Sequence, residues 1–251
     1  MDYLSLLLEA ANAYRFDESL DVFRQVTQAG TPRGAMRTIT RPWIALPYEL
    51  PLFPAQLTKQ IASSYQPSRP DYTFGLNTLD FLSSLVELMG FAEANLRIDV
   101  NRTQPSTSLL VSNMVFRFIW NDGTSITHEQ LSYGQKRLLT FFYYLACNPQ
   151  IVIADELVNG LHHRWIASSI EAIANRQAFL TSQNPLLFDY IPITSEEEVQ
   201  RSFVLCRNES HEGRPAWIWE NMTDDDAHRL FQAYEVGIEH VSEILQSRGL
   251  W

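Results

Sequence analysis

Cysteine is nearly absent: Cys147 and Cys206 are the only two in the chain. They supply neither a disulfide framework nor metal-ligand spacing, so a reducing compartment, the cytoplasm, is the expected setting. Long hydrophobic runs are missing too. No stretch approaches the roughly 18 apolar residues of a membrane helix. The start, MDYLSLLLEAANAY, carries Asp2 and Glu9 where a secretory signal has a basic region, and no membrane partner is expected. Positive charge is scarce, with 19 Lys and Arg against 29 Asp and Glu and a net charge of -10. So acidic a chain is a poor stand-alone binder of duplex nucleic acid, whose affinity rests on neutralising phosphates; a local basic patch would keep nucleic acid open as a partner. Internal repeats and low-complexity tracts are also lacking.

What is present is enough apolar material for a core: 45% hydrophobic against 19% charged residues fits a folded chain of one large or two small domains. Leu4, Leu7, Leu8 and Ala11 share one helical face over 3–13, and Phe16, Leu20, Phe23 and Val26 another over 16–27. Seven prolines between Thr31 and Pro70 forbid long helices there, apart from a short one at 55–64. Within this stretch RPWIALPYELPLFP reads as a linker, a partner-binding strip or an extended segment on the core, with Trp43, Tyr48 and Phe53 as anchors. A patterned helix is expected over 76–89, with Leu76, Leu79, Leu82, Val86 and Met89 inward and Gly90 as its C-cap. Strands follow at 95–100 and 109–120, and Asn121-Asp122-Gly123 turns the chain into a strand at 124–127. The later part predicts a helix opening at 195–198, paired strands at 202–207 and 216–221, and two closing helices. Thr223 caps the first of these, while Val236, His240 and Ile244 are spaced for burial.

The chemistry gathers between Glu129 and Tyr190. Leu131-Ser132-Tyr133-Gly134-Gln135 opens an apolar helix, placing a hydroxyl, a glycine and free backbone N–H groups at a positive helix end, a ready anion site. Taken alone, it reads as an N-cap serine on a buried helix. The run Ile151-Val152-Ile153-Ala154 ends in Asp155-Glu156, two carboxylates at the end of a strand apolar enough for a parallel sheet, where α/β folds bind ligands. Taken alone, it reads as a strand end with solvated acids. Asn159-Gly160-Leu161-His162 follows; the adjacent His162 and His163 diverge and are left as loop or interface residues. A second run, Ala178-Phe179-Leu180, leads to Thr181-Ser182-Gln183-Asn184.

In this order the segments resemble the signature, Walker B, D-loop and switch of ABC-type ATPases, and most of all the soluble branches related to chromosome-maintenance and overcoming-lysogenization-defect (OLD-like) proteins. The resemblance implies an α/β, P-loop-NTPase-like fold, a mostly parallel sheet with flanking helices. It also implies ATP and Mg²⁺ as cofactors. By it, Ser132, Gly134, Gln135 and Asn159 contact nucleotide, Asp155 holds Mg²⁺ through water, and Glu156 polarises the attacking water. Gln183 stands where the family has the switch histidine; glutamine can bond a phosphate oxygen but carries no positive charge. Tyr133 replaces the first glycine of the family's signature. The implied domains are a helical and Pro-rich region over 1–92 and an ATPase C-terminal lobe over 93–251, with signature 131–135, Walker B 151–156 and switch 178–184. OLD-like relatives point to DNA processing or phage defence.

One motif of that family is lacking. The phosphate cradle Gly-x-x-x-x-Gly-Lys-Ser/Thr cannot be placed, because Lys59 and Lys136 are the only lysines and neither follows a glycine-rich loop. Three explanations stand: the C-terminal part of a longer or split ATPase, a non-hydrolysing partner lending Ser132 and Gly134 to a P-loop on another subunit, or an interaction scaffold. The first is the expectation. The partners implied are a P-loop-bearing lobe or subunit, and a homodimer or heterodimer across the signature.

Overall fold

In a computed structural model of the chain, the described residues are 15–16, 43–45, 54–66, 68, 71–75, 79–102, 108–211, 214–236, 240–247 and 250. They divide into two compact units, Met1–Thr181 and Ser182–Trp251.

Alternation of β-branched and aromatic residues builds the larger sheet of the first unit. Its strands are β2 (Trp43–Ala45), β3 (Asp71–Gly75), β4 (Glu93–Arg102), β5 (Ser108–Ile119) and β6 (Ser125–Thr127). The order β2-β5-β4-β3 makes β5 central, with β6 pairing beside its far end. All its pairings are antiparallel except β2 on β5. The β5–β6 turn closes as the Asn-Asp-Gly sequence predicts: Trp120 N–H donates to Thr124 O at 2.8 Å, and Gly123 takes φ +83°.

A second, parallel sheet carries the site. It runs β1 (Arg15–Phe16), β7 (Ile151–Asp155) and β8 (Gln177–Thr181), with β7 in the middle. Val152 and Ala154 are buried, as an apolar run in a parallel sheet should be. β8 differs. Among the described residues it pairs only with β7, and Phe179 is 56% exposed.

The first unit's helices are α1 (Ala55–Ser64), α2 (Asp80–Met89), α3 (Tyr133–Cys147) and α4 (His163–Ile173). α2 buries Phe81, Leu82, Leu85, Val86 and Met89 and ends on Gly90 at φ +76°, the left-handed C-cap. Phe81 of α2, Phe116 of β5 and Tyr143 of α3 meet edge-to-face, with centroids 5.8 to 6.3 Å apart, so one aromatic cluster joins the antiparallel sheet to both helices. α3 also docks on the parallel sheet: the Tyr144 hydroxyl donates to Ile153 O at 3.2 Å and accepts from Ile153 N–H at 2.8 Å. Arg176 closes two helix ends, donating to Leu145 O of α3 and to Ala172 O and Ile173 O of α4.

The second unit holds a 3-10 turn at Pro185–Tyr190, α5 (Glu196–Ser202), the antiparallel hairpin β9 (Val204–His211) and β10 (Arg214–Asn221), then α6 (Asp224–Val236) and α7 (Val241–Ser247). Val199, Met222, Leu230, Ile244 and Leu245 form its core. Asp189 anchors the start of α7, accepting from Ser242 N–H at 2.9 Å and Ser242 Oγ at 2.8 Å.

Three expectations change. Phe16 lies in a strand paired with Ala154, not in a helix over 16–27; the rest of that helix, and the one over 3–13, fall outside the described residues. The helix expected over 76–89 begins at Asp80, and the chain before it includes β3. Val236 is 64% exposed and His240 is exposed too, so neither shares the buried face of Ile244. Tyr48 and Phe53 lie outside the described residues, whereas Trp43 sits in β2.

Candidate functional site

The helix opening at 131–135 is built by its own side chains. Ser132 is the N-cap of α3: its Oγ accepts from Gln135 N–H at 3.3 Å, while Gln135 Oε1 accepts from Ser132 N–H at 3.0 Å. This capping box stabilises the helix by about 1 kcal/mol. It uses one acceptor site of Ser132 and leaves the hydroxyl proton to donate. A second box precedes it, with Thr127 N–H donating to Gln130 Oε1 at 2.9 Å, so the chain is fixed on both sides of Leu131.

Gly134 is buried against the loop that follows β7. A Cβ there would sit 2.6 Å from Gly160 O and 3.1 Å from the Trp165 ring, so only glycine fits. Gly160 has φ +73°, and a Cβ on it would meet the Tyr133 ring at 2.4 Å. The first turn of α3 and the loop 156–160 are therefore in close contact, backbone against backbone and ring over glycine. Trp165 is held in turn by its Nε1–H, which donates to Leu88 O at 3.1 Å.

At the end of β7 the Asp155 carboxylate accepts from Thr181 Oγ1 of β8, and Glu156 N–H continues the ladder to Thr181 O at 3.0 Å. Both acidic side chains are half-buried. Glu156 has φ +53°, left-handed backbone on a non-glycine residue. From there a tight loop runs on, with Asn159 N–H donating to Glu156 O at 3.2 Å and Leu161 N–H to Val158 O at 3.1 Å. His162 is the N-cap of α4, its Nδ1 accepting from Arg164 N–H at 3.4 Å, and His163 is the first residue of that helix, not a loop residue; both are exposed.

Of the residues singled out in the sequence, the first unit brings together Ser132, Gly134 and Gln135 on one side and Asp155, Glu156 and Asn159 on the other. Gln183 is exposed and belongs to the second unit, beside Ser182, whose Oγ accepts from Asn184 N–H at 2.9 Å. Sequence reasoning missed Thr181 as the partner of Asp155. It also missed Arg137, which is fully buried and donates to Leu157 O at 3.2 Å, to Asp155 O at 3.3 Å and to Glu156 O. The only signal for Arg137 was a cation, next to Lys136, heading the apolar run LLTFFYYL.

The oxygen set fits a hard divalent cation. Mg²⁺ is held by one or two carboxylates, the rest of its shell coming from water and substrate phosphate. Asp155 offers one such carboxylate beside a hydroxyl; among the described residues there is no group of three or more His, Cys, Asp or Glu that could hold a metal ion.

Residues 45–189, more than half of the chain, match the family described as "AAA domain, putative AbiEii toxin, Type IV TA system". The chain belongs to this AAA-domain family. It has an α/β, P-loop-NTPase-like fold, and nucleotide binding and hydrolysis are the activity of such ATPase domains in general. A solved structure from work on the structural biochemistry of ATP-driven dimerization and DNA-stimulated activation of SMC ATPases resembles it at 10% identity and a TM-score of 0.35, over 64% of this chain and 94% of that one. No curated protein matches the sequence. Among the described residues of this AAA-domain chain, no helix is long and apolar enough to cross a membrane.

Proposed function

We propose that the chain is the C-terminal part of an ABC-type ATPase, of the OLD-like branch, whose P-loop is supplied by a separate segment or subunit. The observation that carries the reading is the close packing of the Ser132–Gln135 helix start on the loop that begins at Asp155-Glu156. The helix start and the loop that follows the carboxylate pair are thereby packed against each other, which supports a role in phosphoryl transfer, where catalysis is positioning plus charge stabilisation.

In this reading ATP lies across two subunits. The Ser132 hydroxyl and the N–H groups at Gly134 and Gln135 meet the γ-phosphate of nucleotide cradled on the other side, and Asn159 lies at the same interface. Asp155, steadied by Thr181, would hold Mg²⁺, which when bound would offset charge on the phosphate oxygens. Glu156 accepts a hydrogen bond from the attacking water and aims it in line at the γ-phosphate. Gln183, in the second unit, carries an amide able to bond a phosphate oxygen.

The edge of β8 supports the missing lobe. A strand of a parallel sheet is covered on both faces, yet β8 exposes Phe179 and has β7 as its one partner among the described residues. A strand leading into a P-loop would cover it. On this account the ATPase lobe spans 93–251, the setting is cytoplasmic, and the assembly is a homodimer or heterodimer across the signature. The wording of the family description, which speaks of a toxin system, supports a defence role such as phage defence. The acidic balance lends no support to direct binding of nucleic acid.

A second reading, a non-hydrolysing regulatory partner or scaffold, is favoured by Gln183, which cannot supply the positive charge of a switch histidine. One experiment separates the two. Joined to a P-loop lobe, the chain should turn over ATP, and Glu156→Gln should remove turnover while nucleotide still binds. Turnover unchanged in that variant would end the catalytic assignment of Glu156; binding without turnover in the unmutated assembly would favour the partner role.

A further inference from the structure

Arg137 is the largest fully buried side chain among the described residues, and its guanidinium spans the carbonyls of three successive residues: Asp155, Glu156 and Leu157. In an extended strand successive carbonyls point to opposite sides, so one planar group cannot collect three of them. They converge here because Glu156 turns the chain at φ +53°, a conformation that costs free energy on a residue with a Cβ and persists only where its surroundings enforce it. The fork of Arg137 fills that need, its Nε–H and Nη2–H groups donating to the three carbonyls from a fully buried side chain.

From this geometry we infer that Arg137 is a positioning residue for Glu156: it holds the left-handed turn that sets the direction of the Glu156 carboxylate and ties it to the helix that begins at Ser132. The inference rests on the reading of Glu156 as the group that aims the attacking water. Five residues separate Ser132 from Arg137 along α3, about 7.5 Å of helix. A ligand engaging Ser132 therefore acts on Glu156 through one and a half rigid turns. Gly134 against Gly160, and the Tyr133 ring over Gly160, lock the other end of the same loop.

The test is a substitution cycle on the full chain, read by urea unfolding and by hydrogen exchange at the amides of 156–161. Arg137→Gln should speed exchange there about ten-fold more than in β4 and β5. Glu156→Gly removes the Cβ that makes the turn costly. In that background Arg137→Gln should shift the unfolding constant about ten-fold less than in the wild type. Glu156→Ala deletes the same carboxylate but keeps the Cβ, and should give no such relief. Equal effects of Arg137→Gln in all three backgrounds would reduce Arg137 to a core filler and overturn the inference. So would equal relief by glycine and alanine. If Arg137→Gln alone fails to fold, the double variant Arg137→Gln, Glu156→Gly decides: folding supports the inference and failure overturns it. None of these readouts needs nucleotide, so they stand or fall apart from the turnover test of Glu156→Gln.

Discussion

His128 shows how a single residue near the site responds to solution conditions. It lies buried just before the turn at Leu131-Ser132, and its Nδ1 accepts from Phe116 N–H at 3.3 Å. Burial pushes its pKa below the usual histidine value, with Glu129 opposing the shift only in part. The folded state therefore keeps His128 neutral, and the unfolded chain takes up the proton first as the pH drops. Stability from this group is intact above about pH 6.5 and is lost as pH falls from there toward the lowered folded-state value. Urea midpoints measured between pH 7.5 and 5 should decline, and His128→Gln, which can still accept from Phe116 but does not titrate in this range, should flatten part of the decline. An unchanged slope in that variant would assign the loss elsewhere. At this scale the cap was legible and the clamp was not. Ser132 followed by Gln135 is a local capping pattern, complete within four residues. Arg137 could not be read, because an arginine ahead of an apolar run is ordinarily surface-facing until the carbonyls that receive it, 18 to 20 residues along the chain, are in view. Nor does anything local reveal that Glu156 occupies a conformation usually left to glycine.

Elements were legible where the pattern was local and long. The start of α3, the strand ending at Asp155 and the β5–β6 turn all follow from their own residues. Phe16 went astray because its strand has two residues and exists only through pairing with Ile153 and Ala154, against a helical i, i+4 pattern that was equally available. β3 was hidden by Pro67 and Pro70, which read as loop; it is the edge strand of its sheet, where a proline just ahead costs no ladder bond. Val236 and Ile244 share a spacing but not a helix, since α6 ends at Val236 and α7 begins at Val241. β8 makes the testable element. Phe179 is more than half exposed, so Phe179→Asp should leave the urea midpoint of the chain nearly unchanged, within about 0.5 kcal/mol. The same change should prevent joining to a P-loop lobe, by placing a charge where that lobe's strand must pack. A size-exclusion or sedimentation measurement in which the variant still joins would show that the lobe docks elsewhere.

For the whole molecule, two features of the sequence govern the account: an acidic chain with two lysines, and four ATPase-like segments in order without a phosphate cradle. The fold supplies a parallel strand end bearing Asp155 and Glu156, a helix end bearing Ser132, and one loop that locks them together. The central claim is that this is a hydrolytic half-site whose phosphates must be held by another polypeptide segment. Phosphate release from Mg-ATP by the full chain alone tests it most directly. The account predicts no release above buffer from the chain by itself, at most weak nucleotide binding, and turnover once a P-loop lobe is added. Brisk phosphate release by the chain alone would contradict it.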